Sequence, residues 1–396
     1  MRNIHIRSDI GMGFLGIAYP MGSDFEYDGV YGTNHLMEHL MSKCFDSLLP
    51  RLKRLGLNYE VYTGTDRLVF YFEGLDESLG VMAQELYDLI TSGTYKWTEE
   101  EFDNEKRTVI QEYEDAFNEQ VNGTIINSFR RHYNYFDPIG FKPDIERFSY
   151  KDSLAFRKNF KTPMLVCQVG KQYVDVTVQD ISRHRHRHKS GSVSLLNTVQ
   201  GRHGRPCYQW SNPSFKDYKV PLEVVPKKGK TVVGLLSKFP LGSPGLRADL
   251  LKSEVNRTGM ILKCLNDGIE SPLLQEIRDK RGLSYFSMGV IYQLHRFGVP
   301  TFMSCTSNRN KKKLRKVYTE FFSGDLSRHI SRSRFDDCLA GELISKKICE
   351  ILPYSGAKVT VMEDSPYDGL EGFTYEEALR LLDKHFKLDN FAEIEY

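Results

Sequence analysis

Apolar and polar positions along the chain alternate in two rhythms, and these divide it into strands and helices in an order that recurs. GFLGIAYPMG, from Gly13 to Gly22, reads as a strand, and an acidic loop follows through Tyr31. A helix is predicted to begin near Thr33. LNYEVYTGT and RLVFYFEGL are rich in β-branched and aromatic residues, so they read as neighbouring strands turning at Gly64 and Asp66. In DESLGVMAQELYDLITSG, the spacing of Leu79, Met82, Leu86 and Leu89 is that of one helix face, and Gly93 marks its stop. Thr98 and Glu101 form a capping-box signature ahead of a helix that runs through EKRTVIQEYEDAF. An aromatic loop (YNYFDPIGFKPD), a helix around Lys151 to Phe160 and a strand (PMLVCQVG) complete the first half.

SRHRHRHKSGS and QGRHGRPC then interrupt the pattern with charge, Gly and Ser but little apolar content, which predicts a linker over 182–212. The second half repeats the order of the first. KTVVGLLSKF reads as a strand, LLKSEVNRTGMILKCL as a helix, and SPLLQEIRDKRGLSYFSMGVIY as helix, turn and strand. FGVPTFMSCTS is a further strand, and amphipathic helices are predicted at Lys311 to Phe322 and Ser333 to Ile351. The expected fold is α+β. Two similar domains, 1–181 and 213–396, each carry a mostly antiparallel or mixed sheet with helices packed on one face.

Composition narrows the classes of function. The 396 residues suit two domains, and a net charge of +2 makes no overall case for nucleic acid or an anionic membrane. No apolar run approaches the ~20 residues that span a bilayer, and MRNIHIRSDIGMGF lacks the apolar core of a secretory signal. Seven cysteines without a C-x-x-C pair point to reduced thiols. A cytoplasmic protein with no membrane or nucleic-acid partner is expected.

GTNHLMEHLMSK carries the chemistry. On a helix, His35 and His39 project from one face one turn apart, a separation that suits two imidazoles on one Zn²⁺. Glu38 lies on the same side, where it reaches a water at the metal as general base. The alternative is two core histidines flanking a surface acid. A catalytic zinc needs a third protein ligand. Glu105 and Glu112, seven residues apart, share one face of the next helix with Thr108 and Val109 between them. That helix equally reads as a solvated acidic one, since Glu99, Glu100, Glu101 and Glu114 are also there.

GTNHLMEHLMSK, LGLNYEVYTGTDRLVFYF and FDNEKRTVIQEYE, in that order and spacing, resemble the catalytic half of the insulinase/pitrilysin-type zinc peptidases, the inverzincins with H-x-x-E-H. The half-length form is similar to mitochondrial processing peptidase subunits and bacterial relatives. The resemblance implies His35, His39 and Glu112 as ligands of one Zn²⁺ per chain, Glu38 as the base, and Glu105 as a residue that orients a ligand. LNDGIESPLLQEIRDKRGLSYF resembles the family segment whose arginine and tyrosine contact substrate, here Arg278 and Tyr285. Read without the resemblance, these two are a surface basic residue and a core tyrosine. The family strand N-A-x-T reads EVYT here, so Glu60, Val61 and Tyr62 stand where extended substrates add as a strand, and Glu60 would favour basic side chains. The family's FKGT is replaced by SKCFDS.

The resemblance further implies that the two domains form one half of a clamshell around peptides or unfolded polypeptide segments. Two facing copies would bring Arg278 and Tyr285 of one to the zinc site of the other, as a homodimer or as a heterodimer with a related chain. A non-catalytic member acting as a structural or partner subunit is the alternative to an endopeptidase. GMGFLG has glycine-rich nucleotide-loop spacing, but a strand and turn follow it where a helix is needed. RHRHRHK, with His184, His186 and His188, could chelate metal or touch nucleic acid, and reads otherwise as solvated linker.

Overall fold

The computed structural model describes residues 2–92, 94–157, 160, 162–174, 215–220, 222, 223, 225, 229–241, 248–294, 297–351 and 367–395. The 182–212 linker expected from sequence, with its His/Arg segment, lies outside the described residues. Two compact units make up the chain: Met1–Tyr113 with Asp137–Trp210 and Cys349–Ser365, and Glu114–Phe136 with Ser211–Ile348 and Pro366–Tyr396.

The first unit is built on a five-stranded mixed sheet, β1 (Arg2–Ile6), β2 (Met12–Tyr19), β3 (Asn58–Thr63), β4 (Leu68–Leu75) and β5 (Leu165–Val169), in the order β1-β5-β2-β4-β3. Only the β1–β5 pair is parallel. Alternation along the strands splits the apolar residues between two faces. Phe14, Ala18, Val69 and Tyr71 share one face with Cys167. On the other, Phe70 and Phe72 meet Phe45, which follows helix α1 (Thr33–Lys43). Helices α2 (Leu49–Arg54) and α3 (Asp76–Thr91) come next, and α3 buries Leu79, Met82, Leu86 and Ile90. Thr98 and Glu101 exchange the bonds of a capping box and start α4 (Glu99–Asn118). Gly13 and Gly16 lie inside β2, so the glycine-rich stretch forms no phosphate loop.

The helix expected around Lys151 to Phe160 forms as α7 (Tyr150–Phe156), whereas the sequence pattern did not separate α5 (Gln120–Tyr133) or α6 (Lys142–Arg147) from their loops. Residues of α5 group with the second unit although they precede the expected domain boundary.

That second unit holds an antiparallel sheet, β7 (Met288–Leu294), β8 (Phe297–Ser307), β6 (Lys230–Ser237) and β9 (Phe391–Glu395), in that spatial order. One face carries Val233, Leu235 and Phe302 against α8 (Ala248–Asn266), the short α9 (Pro272–Leu274), α10 (Lys311–Ser323), α11 (Arg332–Ile351) and the C-terminal helix Tyr375–His385. Val232, Leu236, Val299 and Met303 point the other way and bury Ile125, Phe129 and Tyr133 of α5. This packing is why α5 belongs to the second sheet. No helix among the described residues is long and apolar enough to cross a membrane.

Candidate metal centre

Helix α1 is set at a fixed angle by its first residues. Gly32 adopts φ 90°, and a Cβ there would meet Ile145 Cδ1 at 2.8 Å and Gly140 Cα at 3.0 Å, so only glycine fits. The Glu26 carboxyl accepts from the backbone N–H groups of Gly32 and Asn34, each at 2.7 Å, and so satisfies free donors at the helix N-terminus, while burial pushes its pKa up to about 8. Leu36, Met37, Leu40 and Met41 are fully buried, so His35, Glu38 and His39 come to lie half-buried on the remaining face. Helix α4 supplies the opposite wall. Its buried Phe102, Val109 and Tyr113 form an inward stripe, and Glu105 and Glu112 lie along it one helical repeat apart.

The side chains converge. His35 Nε2 is 3.3 Å from Glu112 Oε2, and His39 Nε2 is 3.6 Å from Glu112 Oε1. The two rings meet edge to face with centroids 4.9 Å apart. One ligating atom from each of His35, His39 and Glu112 can be chosen so that all lie within 4.8 Å of one another. Two imidazole nitrogens and a carboxylate are a donor set that zinc accepts while keeping a position open. The His35 contact holds the Glu112 carboxyl below the usual carboxylate range, with His39 adding to the effect against burial. That favours the ionised carboxylate, the form in which it could bind a metal. His39 Nδ1 donates to Glu105 Oε2 at 3.2 Å, which turns Nε2 toward the centre, and Lys43 Nζ closes the chain at 3.2 Å from Glu105 Oε1.

Burial raises the Glu38 carboxyl above its ordinary range, opposed by His35, by Thr63 and by His39. Glu26, Lys43 and Thr63 were not read from the sequence as parts of the site. Thr63 ends the EVYT strand, and that position was the one signal available for it.

Strand β3 lies at the edge of its sheet, with one side of its backbone unpaired by β4. Tyr59, Val61 and Thr63 point to the α1 face, as the packing of Phe45 on Tyr59 shows, while Glu60 and Tyr62 point to the opposite one. The Tyr71 hydroxyl donates to the Glu60 carboxylate. Arg278 and Tyr285 belong to the second unit. Arg278 Nε donates to Asp279 Oδ1 at 2.6 Å, and that bond raises the guanidinium pKa further. Leu283 is buried and the Ser284 hydroxyl donates to the carbonyls of Phe286 and Cys305, so Tyr285 between these anchors is held out, 85% exposed.

Residues 14–140 match the model of the insulinase family, peptidase family M16. Over 107 residues the chain is 24% identical to a protein described as the probable mitochondrial-processing peptidase subunit beta of Arabidopsis thaliana. That match spans 26% of this chain and 20% of that subunit. Among solved structures, a protease from Helicobacter pylori superposes with a TM-score of 0.68 at 18% identity, covering 99% of this chain and 96% of that one. A peptidase M16 inactive domain from Pseudomonas fluorescens gives 0.64 at 13% identity, covering 99% and 94%. These two similarities establish the fold.

Proposed function

We propose, from the match of residues 14–140 to the insulinase family, peptidase family M16, that the chain is a member of that family and a zinc-dependent endopeptidase acting on peptides or unfolded polypeptide segments. The convergence of His35, His39 and Glu112, with Glu38 on the same helix, carries the proposal. Zinc held by these three residues supplies Lewis acidity that acidifies water and polarises a peptide carbonyl.

The remaining steps fall to the chain's own residues. Glu38, whose carboxyl burial raises above its ordinary range, takes the proton of the attacking water and later passes it to the leaving amine. Glu105 fixes the tautomer and orientation of His39. The open edge of β3 offers main-chain hydrogen bonds to an extended substrate beside α1. Tyr285, fully presented to solvent, is suited to donate to the oxyanion of the tetrahedral intermediate, and Arg278 to bind substrate carbonyls. We propose that these two act on the site of a second copy in a homodimer. Cleavage of an unstructured peptide mixture by wild type but not by Glu38→Gln, with both folded, is the expected result. Equal cleavage by both would remove Glu38 from the mechanism.

The second reading is a non-catalytic partner subunit. It is supported by the similarity to a chain described as an inactive domain and to one described as a peptidase subunit. Wild type that stays inactive alone, with zinc bound, and gains activity on adding a related chain would favour it.

A further inference from the structure

Helices α8 and α11 of the second unit are fastened together at one level by two side chains of α11. Arg334 Nε donates to the backbone carbonyl of Cys264, near the end of α8. Two turns further on, Glu342 accepts from Lys263 Nζ at 2.6 Å. Residues spaced by four share a helix face, so Cys338, midway between Arg334 and Glu342, faces the same stretch of α8. Cys338 packs on the core cluster that includes Cys264, one turn beyond the Arg334 that is bonded to the Cys264 carbonyl. Neither is in a disulfide. Cys264 is fully buried, whereas Cys338 is partly accessible.

We propose that Cys264 and Cys338 form a peroxide-oxidisable pair that closes into a disulfide joining α8 to α11. The partly accessible Cys338 reacts first. Its thiolate attacks one oxygen of hydrogen peroxide, hydroxide leaves, and the sulfur becomes a sulfenic acid. The Cys264 sulfur then attacks that sulfenic sulfur, forming the S–S bond, and the departing hydroxyl takes up the Cys264 proton as water. Two electrons pass from the thiols to the peroxide, and two waters result. The neighbouring Cys264 thiol and the Arg334 guanidinium hold the Cys338 thiol below its usual range, against burial, which favours the reactive thiolate. Arg334 also donates to the carbonyls of Asp267 and Glu270, so the disulfide would brace the start of the segment that leads to Arg278 and Tyr285.

The test uses the full chain, with no activity readout. Reduced protein is treated with a small excess of hydrogen peroxide, alkylated and mapped by mass spectrometry without reductant. A Cys264–Cys338 linked peptide, two hydrogens lighter and restored by dithiothreitol, is the expected product. With Cys264→Ala, the Cys338 sulfenic acid should persist and be trapped by dimedone. With Cys338→Ala, oxidation of Cys264 should slow at least tenfold. Both thiols remaining alkylatable in wild type after Cys44 has oxidised, or a link from either to a different cysteine, would overturn the proposal.

Discussion

His39 Nδ1 donates to Glu105 at 3.2 Å while its Nε2 faces Glu112 at 3.6 Å, so the two acids of α4 divide the ring between them. One nitrogen is anchored and the other is aimed. Glu105→Ala should therefore leave all three ligands in place yet weaken zinc affinity by about 10–100-fold. Competition against a chromophoric chelator measures this. An affinity equal to that of wild type would show that the anchoring bond has no influence on the centre.

Gly32 sets the approach of α1 to the site at a backbone angle that costs an L-residue about 1–2 kcal/mol. Its missing side chain also leaves room for Ile145 and Gly140. Gly32→Ala should lower stability by at least that amount and shift His35 and His39 relative to Glu112. Denaturant unfolding together with zinc titration checks both effects. A variant unchanged in both would mean that α1 is positioned by other contacts.

Away from the centre, Glu254 gives a pH dependence whose sign can be worked out. Its bond to His385, with help from Lys384, lowers its carboxyl from 4.5 to about 2 in the folded chain. A carboxyl depressed by folding stabilises above the unfolded pKa of 4.5, and that contribution disappears as pH falls toward 2. Allowing for solvent screening at a partly exposed pair, the contribution is about 1–2 kcal/mol. Wild type should exceed Glu254→Gln by this amount at pH 7, and the gap should shrink below about pH 4.5 and close only near pH 2. Parallel denaturant titrations across that range follow it. A gap independent of pH would assign the difference to packing.

If two copies share their sites, Glu38→Gln and Tyr285→Phe should complement one another. Each is impaired alone. Random pairing gives half heterodimers, each with one intact site, so a mixture should recover roughly a quarter of wild-type activity. A mixture no more active than the mean of the two variants would place each Tyr285 at its own chain's site or at none.

Much of this was legible in the residues, because short-range periodicity reports local structure well. The H-x-x-E-H helix, the EVYT and RLVFYFEGL hairpin and the capping box at Thr98 were set by local spacing, and they form as that spacing predicts. Helix α5 was not legible. Its apolar residues Ile125, Phe129 and Tyr133 are chosen for a sheet whose first strand begins about a hundred residues later. Strand β1 pairs with β5 across a still longer separation, Arg2 opposite Leu165, and offers only five residues as a signal. In the site, the convergence of His35, His39 and Glu112 was readable from spacing and resemblance, whereas Glu26 acts through a carboxyl that reaches backbone N–H groups six and eight residues on, a contact with no periodic signature.

The most direct test of the zinc peptidase is to strip wild type with a chelator and add zinc back while following cleavage of a fluorogenic unstructured peptide. Cleavage should vanish on stripping and return with a break at one zinc per chain, while Glu38→Gln binds the same equivalent and stays inactive. Cleavage that survives removal of the metal, or a wild type that binds no zinc at His35, His39 and Glu112, would contradict the account.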